Sequence, residues 1–361
     1  MFKKESGHAV RSFATASVLL AAVAGSVGIT PAFAGTINIM ETGSTLLYPL
    51  FNLWVPAYTR IHPQVRINTE GTGSGTGIAE AISGVAQIGA SDAYMSNTQV
   101  KQNPNILNIP LAISAQTVNY NIPGLNNVHL KLNGPVLAGI YDGQIRYWNA
   151  PAISRLNPGV RLPHHRITPI HRTDGSGDTF IFSQYLSFST PYWNSHVAYG
   201  TTISWPAVPG GLGALGNPGM VQAAAQTPYS IAYIGVSFTK EVQRAHLGTA
   251  LLENRAGRFL LPTKATVEAA AGELVKKTPV DERISLVFAP GAESYPIINY
   301  EYAIVNDHQA SAATANALRK FLMWAVSLRG GNSRSFLRQV RFIALPARIS
   351  ALSRKQIAKI R

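Results

Sequence analysis

The stretch IHRTDGSGDTFI, residues 170–181, governs the interpretation of the whole sequence. Apolar residues and a proline precede it, glycines lie at positions 175 and 177, and an apolar run with helical spacing follows it. This order predicts a strand, a tight turn and a helix. The free N–H groups at a glycine-rich helix start, together with the helix dipole, favour an anion. The simpler alternative is a solvated loop in which Asp178 only caps the helix.

The polar content of the same stretch favours a binding site over a connecting loop. Residues 172–179 contain one arginine, two aspartates, three serine or threonine hydroxyls and two glycines. A turn that merely joins a strand to a helix does not need so many charges. We therefore treat Arg172, Asp174, Ser176, Gly177 and Asp178 as candidate site residues.

Length and composition predict an ordered, exported protein. The chain has 361 residues, of which 46% are hydrophobic and 13% charged, so it can form two domains with their own cores. A basic start, an apolar run at about 18–27 and the small-residue site Ala32-Phe33-Ala34 predict a signal peptide cleaved after Ala34. No later segment is long and apolar enough to span a bilayer, and cysteine is absent, which excludes disulfides and a lipidated N-terminal cysteine. We expect a periplasmic protein without a membrane anchor.

The charge is strongly positive and unevenly distributed. The net charge is +14, and residues 311–361 contain basic side chains but no Asp or Glu. One explanation is an anionic partner, and the other is a basic outer face of packed helices. Aromatic residues interleaved for base stacking are missing from this region, so we expect no nucleic-acid partner.

Two earlier segments repeat the arrangement of a polar turn that opens a helix. A short strand at 36–40 leads to Ser44 and Thr45, which precede apolar residues with helical spacing over 46–55. A second strand at 65–68 leads to the glycine-rich segment 70–77, which contains Ser74 and precedes a helix at 78–85. This segment lacks the Lys-Ser/Thr ending of a P-loop and breaks the dinucleotide fingerprint.

The next apolar run ends in a carboxylate. Residues 86–92 predict a short buried strand that ends at Asp92. Loops at the carboxyl ends of neighbouring strands in an open α/β sheet converge on one crevice. The sequence therefore predicts that these turns lie together.

Two long extended segments frame the middle of the chain. They cover residues 106–121 and 295–305, and such a pair is typical of a double linker between two domains. Between them we predict one helix over 141–157, a loop over 204–220, a strand over 231–238 and a helix over 265–275. Two further helices are expected over 312–327 and 348–360.

Taken together, the motifs resemble a known family. The chain is similar to the phosphate-binding proteins of bacterial high-affinity phosphate ABC transporters, members of the periplasmic binding protein superfamily. The motifs that carry the resemblance are ETGSTLLYPLF (41–51), GTGSGTGIAEA (71–81), QIGASDAYMS (87–96), VNYNIPG (118–124), IYDGQIRYWN (140–149), HRTDGSGDTF (171–180), YSIAYIGVSF (229–238) and YPIINYEYAIV (295–305).

The resemblance implies a fold and a domain organisation. The fold class is α/β, a two-lobed periplasmic-binding-protein fold (type II-like), in which each lobe is a mixed sheet flanked by helices and a two-segment hinge joins the lobes. Residues 1–34 would be the signal peptide, residues 35–117 and 299–361 lobe I, and residues 118–298 lobe II. The protein would be a monomer that uses no cofactor or metal, binds inorganic phosphate and delivers it to the permease subunits of an ABC transporter.

The resemblance also implies the residues that bind phosphate. They are Ser44, Thr45, Leu46 (through its N–H), Ser74, Asp92, Arg172, Ser176, Gly177 and Asp178. Asp174 would hold the Arg172 guanidinium in place without contacting the ligand. Many members have Thr where this chain has Asp178, so a hydroxyl is replaced by a carboxylate.

Two carboxylates in an anion site call for protons on the ligand. An ionised carboxylate only accepts hydrogen bonds, so we expect Asp92 and Asp178 to require donors on the ligand. Phosphate near neutral pH keeps P–OH groups and sulfate has none, which predicts discrimination against sulfate.

Other functions stay open at this point. Another tetrahedral oxyanion, such as arsenate, a phosphonate or sulfate, would suit the same residues. A hydrolase is disfavoured because Ser176 lacks the G-x-S-x-G frame and no H-E-x-x-H occurs. The basic C-terminal region could also bind an anionic polymer.

Overall fold

The computed structural model describes residues 36–361, so the predicted signal peptide lies outside the described residues. Helices surround a large mixed sheet and a small one. The strands are β1 (Ile37–Gly43), β2 (Val65–Glu70), β3 (Ile88–Ser91), β4 (Ile106–Asn121), β5 (Lys131–Leu132), β6 (Thr168–Arg172), β7 (Leu212–Ala214), β8 (Ser230–Gly235), β9 (Gly248–Thr249), β10 (Leu251–Glu253), β11 (Phe259–Leu260) and β12 (Ile298–Asn306).

The helices lie between these strands and at the C-terminal end. They are α1 (Tyr48–Ile61), α2 (Ser74–Ser83), α3 (Asn97–Gln102), α4 (Gly134–Tyr141), α5 (Pro151–Leu156), α6 (Gly177–Ser189), α7 (Pro191–His196), α8 (Gly216–Gln226), α9 (Thr239–Arg244), α10 (Lys264–Leu274), α11 (Ala312–Ala325), α12 (Arg334–Leu337) and α13 (Ala347–Ile357). Among residues 36–361, no helix combines the length and the hydropathy that a membrane crossing requires.

The large sheet consists of two halves that share one strand. Its order is β2-β1-β3-β12-β4-β8-β6-β7, with β9 beside β4, and β11, β10 and β5 form the small sheet. Strands β1, β2 and β3 are parallel to one another, as are β6, β7 and β8. Helices connect the parallel strands, as crossovers between them require.

Strand β4 is the element that belongs to both halves. Residues 106–115 pair with β12, whereas residues 116–121 pair with β8. Nearly all of β4 is buried, because apolar residues from both halves pack against it. The extended segments predicted at 106–121 and 295–305 are confirmed as β4 and β12, although β12 begins only at Ile298. The lobe boundaries near 117 and 298 stay a prediction.

Two predictions for the middle of the chain were wrong. The helix expected over 141–157 is interrupted: α4 ends at Tyr141, Gly143 has a φ of +79°, and α5 begins only at Pro151. A left-handed glycine ends a helix, and proline is suited to starting one. The loop expected over 204–220 contains β7 and the first turn of α8. Pro218 resembles a turn residue, but proline is tolerated in the first turn of a helix, where its missing N–H has no intrahelical role.

Candidate anion-binding site

The three predicted turns meet where the two halves of the sheet face each other. The ends of β1 and β3 and the start of α2 bring residues from one half, and the turn from β6 to α6 brings residues from the other. The predicted phosphate ligands Ser44, Thr45, Leu46, Ser74, Asp92, Arg172, Ser176, Gly177 and Asp178 are all buried, and Asp174 is partly buried. The structure thus assembles residues that lie up to 134 positions apart in the chain, from Ser44 to Asp178.

Two serines hold Asp92 in place. The Oγ of Ser44 donates a hydrogen bond to Oδ1 of Asp92. The Oγ of Ser74 accepts a hydrogen bond of 3.1 Å from the Asp92 N–H and lies 3.4 Å from Oδ2 of the same residue. Ser44 also accepts from the N–H groups of Leu46 (3.1 Å) and Leu47 (3.0 Å). The Leu46 N–H predicted to bind the anion therefore has a serine partner in this structure.

Arg172 is clamped between two aspartates. Its Nε donates to Oδ1 of Asp174 at 2.7 Å, and its Nη2 donates to Oδ2 of the same carboxylate. Its Nη1 donates to Oδ2 of Asp178 at 2.8 Å. An arginine has five N–H donors in a planar fork, so these bonds leave one donor on each terminal nitrogen. Asp174 thus orients the guanidinium, and the free N–H groups are the ones that a ligand can use.

Asp178 has hydrogen-bond donors within the protein, and its predicted contact with the ligand stays a prediction. The Oδ1 of Asp178 accepts from Nε2 of Gln116 at 2.9 Å. Its Oδ2 accepts from Nδ2 of Asn217 at 2.6 Å, in addition to the bond from Arg172. Its helix cap function is absent, because Ser176 Oγ is the group that accepts from the N–H of Thr179. Asp178 is therefore a buried acceptor that the protein itself satisfies, and Asp92 is the carboxylate with fewer protein donors.

Asn217 is a site residue that the sequence reasoning missed. It lies in the first turn of α8, and it links the two halves of the sheet because its Nδ2 also reaches Oγ1 of Thr45 at 3.0 Å. The sequence predicts a loop over this segment, and a polar residue in a loop gives no signal of a buried site. Gln116 was missed as well, although a glutamine within a long apolar strand is a signal for a buried polar role.

Backbone contacts seal the site between the halves. The N–H of Gly75 donates to the carbonyl oxygen of Gly175 at 2.7 Å. At Gly177 the two sides are so close that an added Cβ would lie 2.6 Å from Cβ of Asp92 and would overlap Oγ of Ser74. The glycine at this position therefore allows the start of α6 to lie directly against Asp92.

Glu301 is a further buried acid that the sequence reasoning missed. It lies on β12, where the pairing with β4 shifts register, and none of its surface is exposed. Its Oε1 accepts from Ser114 Oγ and, at 3.2 Å, from Nδ2 of Asn299. Its Oε2 has no partner within the described chain, and its carboxyl lies within hydrogen-bonding reach of Asp92.

Burial and repulsion raise the pKa values of Asp92, Asp178 and Glu301. Burial, followed by the charge of Asp178, raises the pKa of Asp92 to about 7. Burial raises the pKa of Asp178 in spite of Arg172, and burial with the nearby Asp92 raises the pKa of Glu301 well above its usual range. At Asp174 the hydrogen bond and charge of Arg172 outweigh burial and lower the pKa. Burial thus favours the protonated forms of Asp92, Asp178 and Glu301.

No group of three or more potential metal ligands occurs among residues 36–361. The chemistry that the arrangement offers is hydrogen bonding. Serine hydroxyls, helix-start N–H groups and the free N–H groups of Arg172 are donors, and Asp92 is an acceptor. Such a set suits a small oxyanion that carries both acceptors and a proton.

Comparison with known proteins places the chain in a family. Residues 28–329 match the model of the PBP superfamily domain. The "Phosphate-binding protein PstS" of Methanocaldococcus jannaschii is 34% identical over 310 residues, which cover 81% of this chain and 79% of the relative. The protein of the same name from Haemophilus influenzae is 30% identical and covers 90% and 93%.

The chain belongs to the phosphate-binding proteins of the periplasmic binding protein superfamily. Solved structures agree on the fold. A high-affinity periplasmic phosphate-binding protein (PfluDING) bound with phosphate has a TM-score of 0.70 at 20% identity, covering 88% of this chain and 93% of its own. The phosphate-binding protein of Stenotrophomonas maltophilia has a TM-score of 0.66 at 18% identity, with the same coverage. The predicted two-lobed periplasmic-binding-protein fold is confirmed.

Proposed function

We propose that this member of the phosphate-binding protein family binds inorganic phosphate between the two halves of its large sheet and delivers it to the permease of an ABC transporter. The observation that carries the proposal is the meeting of Ser44, Ser74 and Asp92 from one half with Arg172 and Ser176 from the other, all of them buried. The names of the relatives support phosphate as the ligand.

Proton counting explains why an acidic side chain suits an anion site. Phosphate near neutral pH keeps at least one P–OH group, which donates to Asp92, whereas sulfate has no hydrogen to donate. Burial raises the pKa of Asp92 to about 7, so above neutral pH this carboxyl is mainly ionised and only accepts hydrogen bonds. Selectivity then follows from the hydrogen bond that sulfate leaves unmade.

The contacts in the structure refine the roles of the predicted ligands. We assign direct contacts to Ser44, Thr45, Ser74, Asp92 and Ser176, to the N–H group of Gly177, and to the free N–H groups of Arg172. The Leu46 N–H, which donates to Ser44 Oγ in this structure, stays a predicted contact. Asp178 and Asp174 hold Arg172 in position. In this assignment Asp178 does not accept a hydrogen bond from a protonated ligand, as first predicted, but holds the Arg172 guanidinium in position.

Transport follows from closure of the two lobes. A ligand that contacts both halves of the sheet favours the closed form, and a permease that recognises this form receives only loaded protein. We propose that the signal peptide is cleaved after Ala34 and that the mature protein acts in the periplasm as a monomer without a membrane anchor. We also propose that it is not an enzyme; release of phosphate from a chromogenic phosphate ester by the purified protein would contradict this.

Isothermal titration with phosphate, arsenate and sulfate at pH 6 and pH 8 tests the proposal. We expect saturable binding of one phosphate per chain and sulfate binding weaker by at least about a hundredfold at pH 8, the loss of about 3 kcal/mol for a missing hydrogen bond to a charged group. Equal affinity for sulfate at pH 8, or no affinity for phosphate, would overturn it.

A further inference from the structure

A second cavity lies on the opposite face of β4 from the anion site. Successive side chains of a strand point to opposite faces. Gln116 reaches Asp178 in the anion site, whereas Thr117 and Asn119 line a cavity of about 930 Å³. We call it the rear groove, defined by β4 residues 117 and 119 and by segments 236–243, 261–268 and 328–344.

The walls of the rear groove belong to different halves of the molecule. Segment 328–344 packs on the first half of β4, where Ile343 pairs with Ile113 and Asn332 Nδ2 donates to the Leu111 carbonyl oxygen at 2.6 Å. Segment 236–243 directly follows β8, which pairs with the second half of β4. The width of the groove therefore depends on how the two halves are oriented about β4.

The groove combines an apolar lining with cationic walls. Its apolar lining residues include Val236, Val242, Leu261, Leu328, Leu337 and Phe342. Arg334, Arg338 and Arg341 come from segment 328–344, Lys240 comes from segment 236–243, and Lys264 comes from segment 261–268. Among the residues that the structure describes, the only acidic one in the lining is Glu268, which is already paired with Lys264 at 2.6 Å.

The charges in the groove are not balanced by the protein. Within residues 36–361, Lys240, Arg334, Arg338 and Arg341 form no ion pair with a carboxylate. Like charges on two facing walls repel each other, and an anion between them removes this repulsion. The volume is within the range of small-molecule sites, about 300–1,000 Å³. Apolar lining with several cations therefore suits an organic molecule with more than one negative charge.

We propose that the rear groove binds an organic polyanion with an apolar body, and that this ligand and phosphate strengthen each other's binding. The structure shows the halves in contact at the front, where Asn217 reaches Thr45. A rotation about β4 and β12 that separates these residues narrows the rear groove. A ligand that fills the groove therefore opposes opening of the front, and linkage makes the coupling reciprocal. The existence of the groove site is independent of the proposed function, but the coupling rests on it.

Titration with the fluorescent dye bis-ANS, which carries two sulfonates on an apolar body, tests the site in phosphate-free buffer. We expect one saturable site per chain, and an affinity at least about tenfold lower in the double variant Arg334→Glu/Arg338→Glu, which corresponds to about 1.4 kcal/mol. The matched control Arg354→Glu/Lys355→Glu changes the net charge equally at exposed positions of α13 outside the groove and should bind the dye like the wild type. An equal loss of dye affinity in both variants, or unchanged dye affinity in both, would refute the site.

Calorimetric titration with phosphate in the presence of saturating bis-ANS tests the coupling. We expect phosphate to bind about fivefold or more tightly than without the dye, and the gain to be absent in Arg334→Glu/Arg338→Glu. An unchanged or weakened phosphate affinity would refute the coupling. If phosphate does not bind even without the dye, the proposed function fails, while the dye titrations of the two variants still decide whether the groove is a binding site.

Discussion

The carboxyl groups of Asp92 and Glu301 lie within hydrogen-bonding reach of each other, and neither side chain is exposed. Two buried carboxylates in contact cannot both be ionised at low cost. Ser114 and Asn299 both donate to Oε1 of Glu301, whereas Oε2 has no partner within the described chain. Burial and the nearby Asp92 raise the pKa of Glu301, so we expect Glu301 to be neutral and able to donate to Asp92. A neutral Glu301 thereby preserves Asp92 as an acceptor for the ligand.

This relationship predicts different results for two substitutions of Glu301. Glu301→Gln keeps an N–H donor beside Asp92, so we expect little change in the phosphate affinity at pH 7. Glu301→Leu removes the donor, and we expect an affinity lower by about tenfold, the worth of one hydrogen bond. Calorimetric titration of the three proteins measures both. Leucine at this position with wild-type affinity would mean that Glu301 does not act on Asp92.

Asp92 itself should control both affinity and selectivity. We expect Asp92→Asn to weaken phosphate binding by about 10–100-fold, because a hydrogen bond to a charged acceptor is lost. The sulfate affinity should decrease less than the phosphate affinity, or increase, because the side-chain amide of Asp92→Asn can donate a hydrogen bond to sulfate whereas the Asp92 carboxylate repels it. The ratio of the two dissociation constants at pH 8 is the measured quantity. A ratio identical to that of the wild type would exclude Asp92 as the residue that distinguishes the anions.

Selectivity should also depend on pH. The pKa of Asp92 is raised by burial to about 7, so this carboxyl gains a proton as the pH falls below that value and becomes a donor. A protonated Asp92 offers sulfate the hydrogen bond that an ionised one denies. We expect the sulfate affinity of the wild type to rise from pH 8 to pH 5.5, and that of Asp92→Asn to stay nearly constant. Competition titrations with sulfate, in a pH series of buffers that themselves contain neither sulfate nor phosphate, measure this affinity. A sulfate affinity of the wild type that does not change with pH would contradict the prediction.

Gly177 should be needed for the contact between the halves. A Cβ there would lie 2.6 Å from Cβ of Asp92, so Gly177→Ala has to push the start of α6 away from Asp92 and Ser74. We expect a phosphate affinity at least about tenfold lower, since overpacking typically costs 1–3 kcal/mol. The control is Gly272→Ala in α10, where an added Cβ meets nothing within 4 Å and alanine favours the helix. Equal affinities in the two variants would show that the halves do not close on Gly177.

Stability should fall as the pH rises through the neutral range. Burial raises the pKa of Glu282 to about 8, so between its ordinary value of 4.5 and 8 the folded protein holds a proton that the unfolded chain has lost. The stabilisation is complete below pH 4.5 and declines as the pH rises, by about 1.4 kcal/mol per pH unit for one proton. Burial raises the pKa of Glu41 to about 8 as well, which acts in the same direction.

Denaturant unfolding at pH 5, 6.5 and 8 in phosphate-free buffer measures this slope. We expect the free energy of unfolding to decrease over the series, and the decrease to be shallower in Glu282→Gln, which cannot titrate. Glu282 lies outside the anion site, with Ser353 donating to its Oε1 at 2.9 Å, so phosphate binding should be retained in this variant. The same substitution at the exposed Glu273 is the control. A slope in Glu282→Gln as steep as that of the wild type would contradict the assignment.

The sequence by itself determined the local elements of the site. Glycine-rich turns between apolar runs are local signals, and they correctly indicated the turns that carry Ser44, Ser74 and Arg172, because turn conformation depends mainly on neighbouring residues. The strand ending at Asp92 and the long strand β4 follow from the same local periodicity. The prediction failed where a proline in a first helical turn resembles a loop, as at the start of α8.

Only the tertiary structure decided which buried groups meet. The partners of Asp178 come from Gln116 and Asn217, 62 and 39 positions away, and Glu301 reaches Asp92 from β12. The register between β4, β8 and β12 places these side chains together, and no sequence spacing encodes that register. Because a buried carboxylate takes its pKa and its hydrogen bonds from whatever lies beside it, the proton that distinguishes one anion from another is a property of the assembled fold.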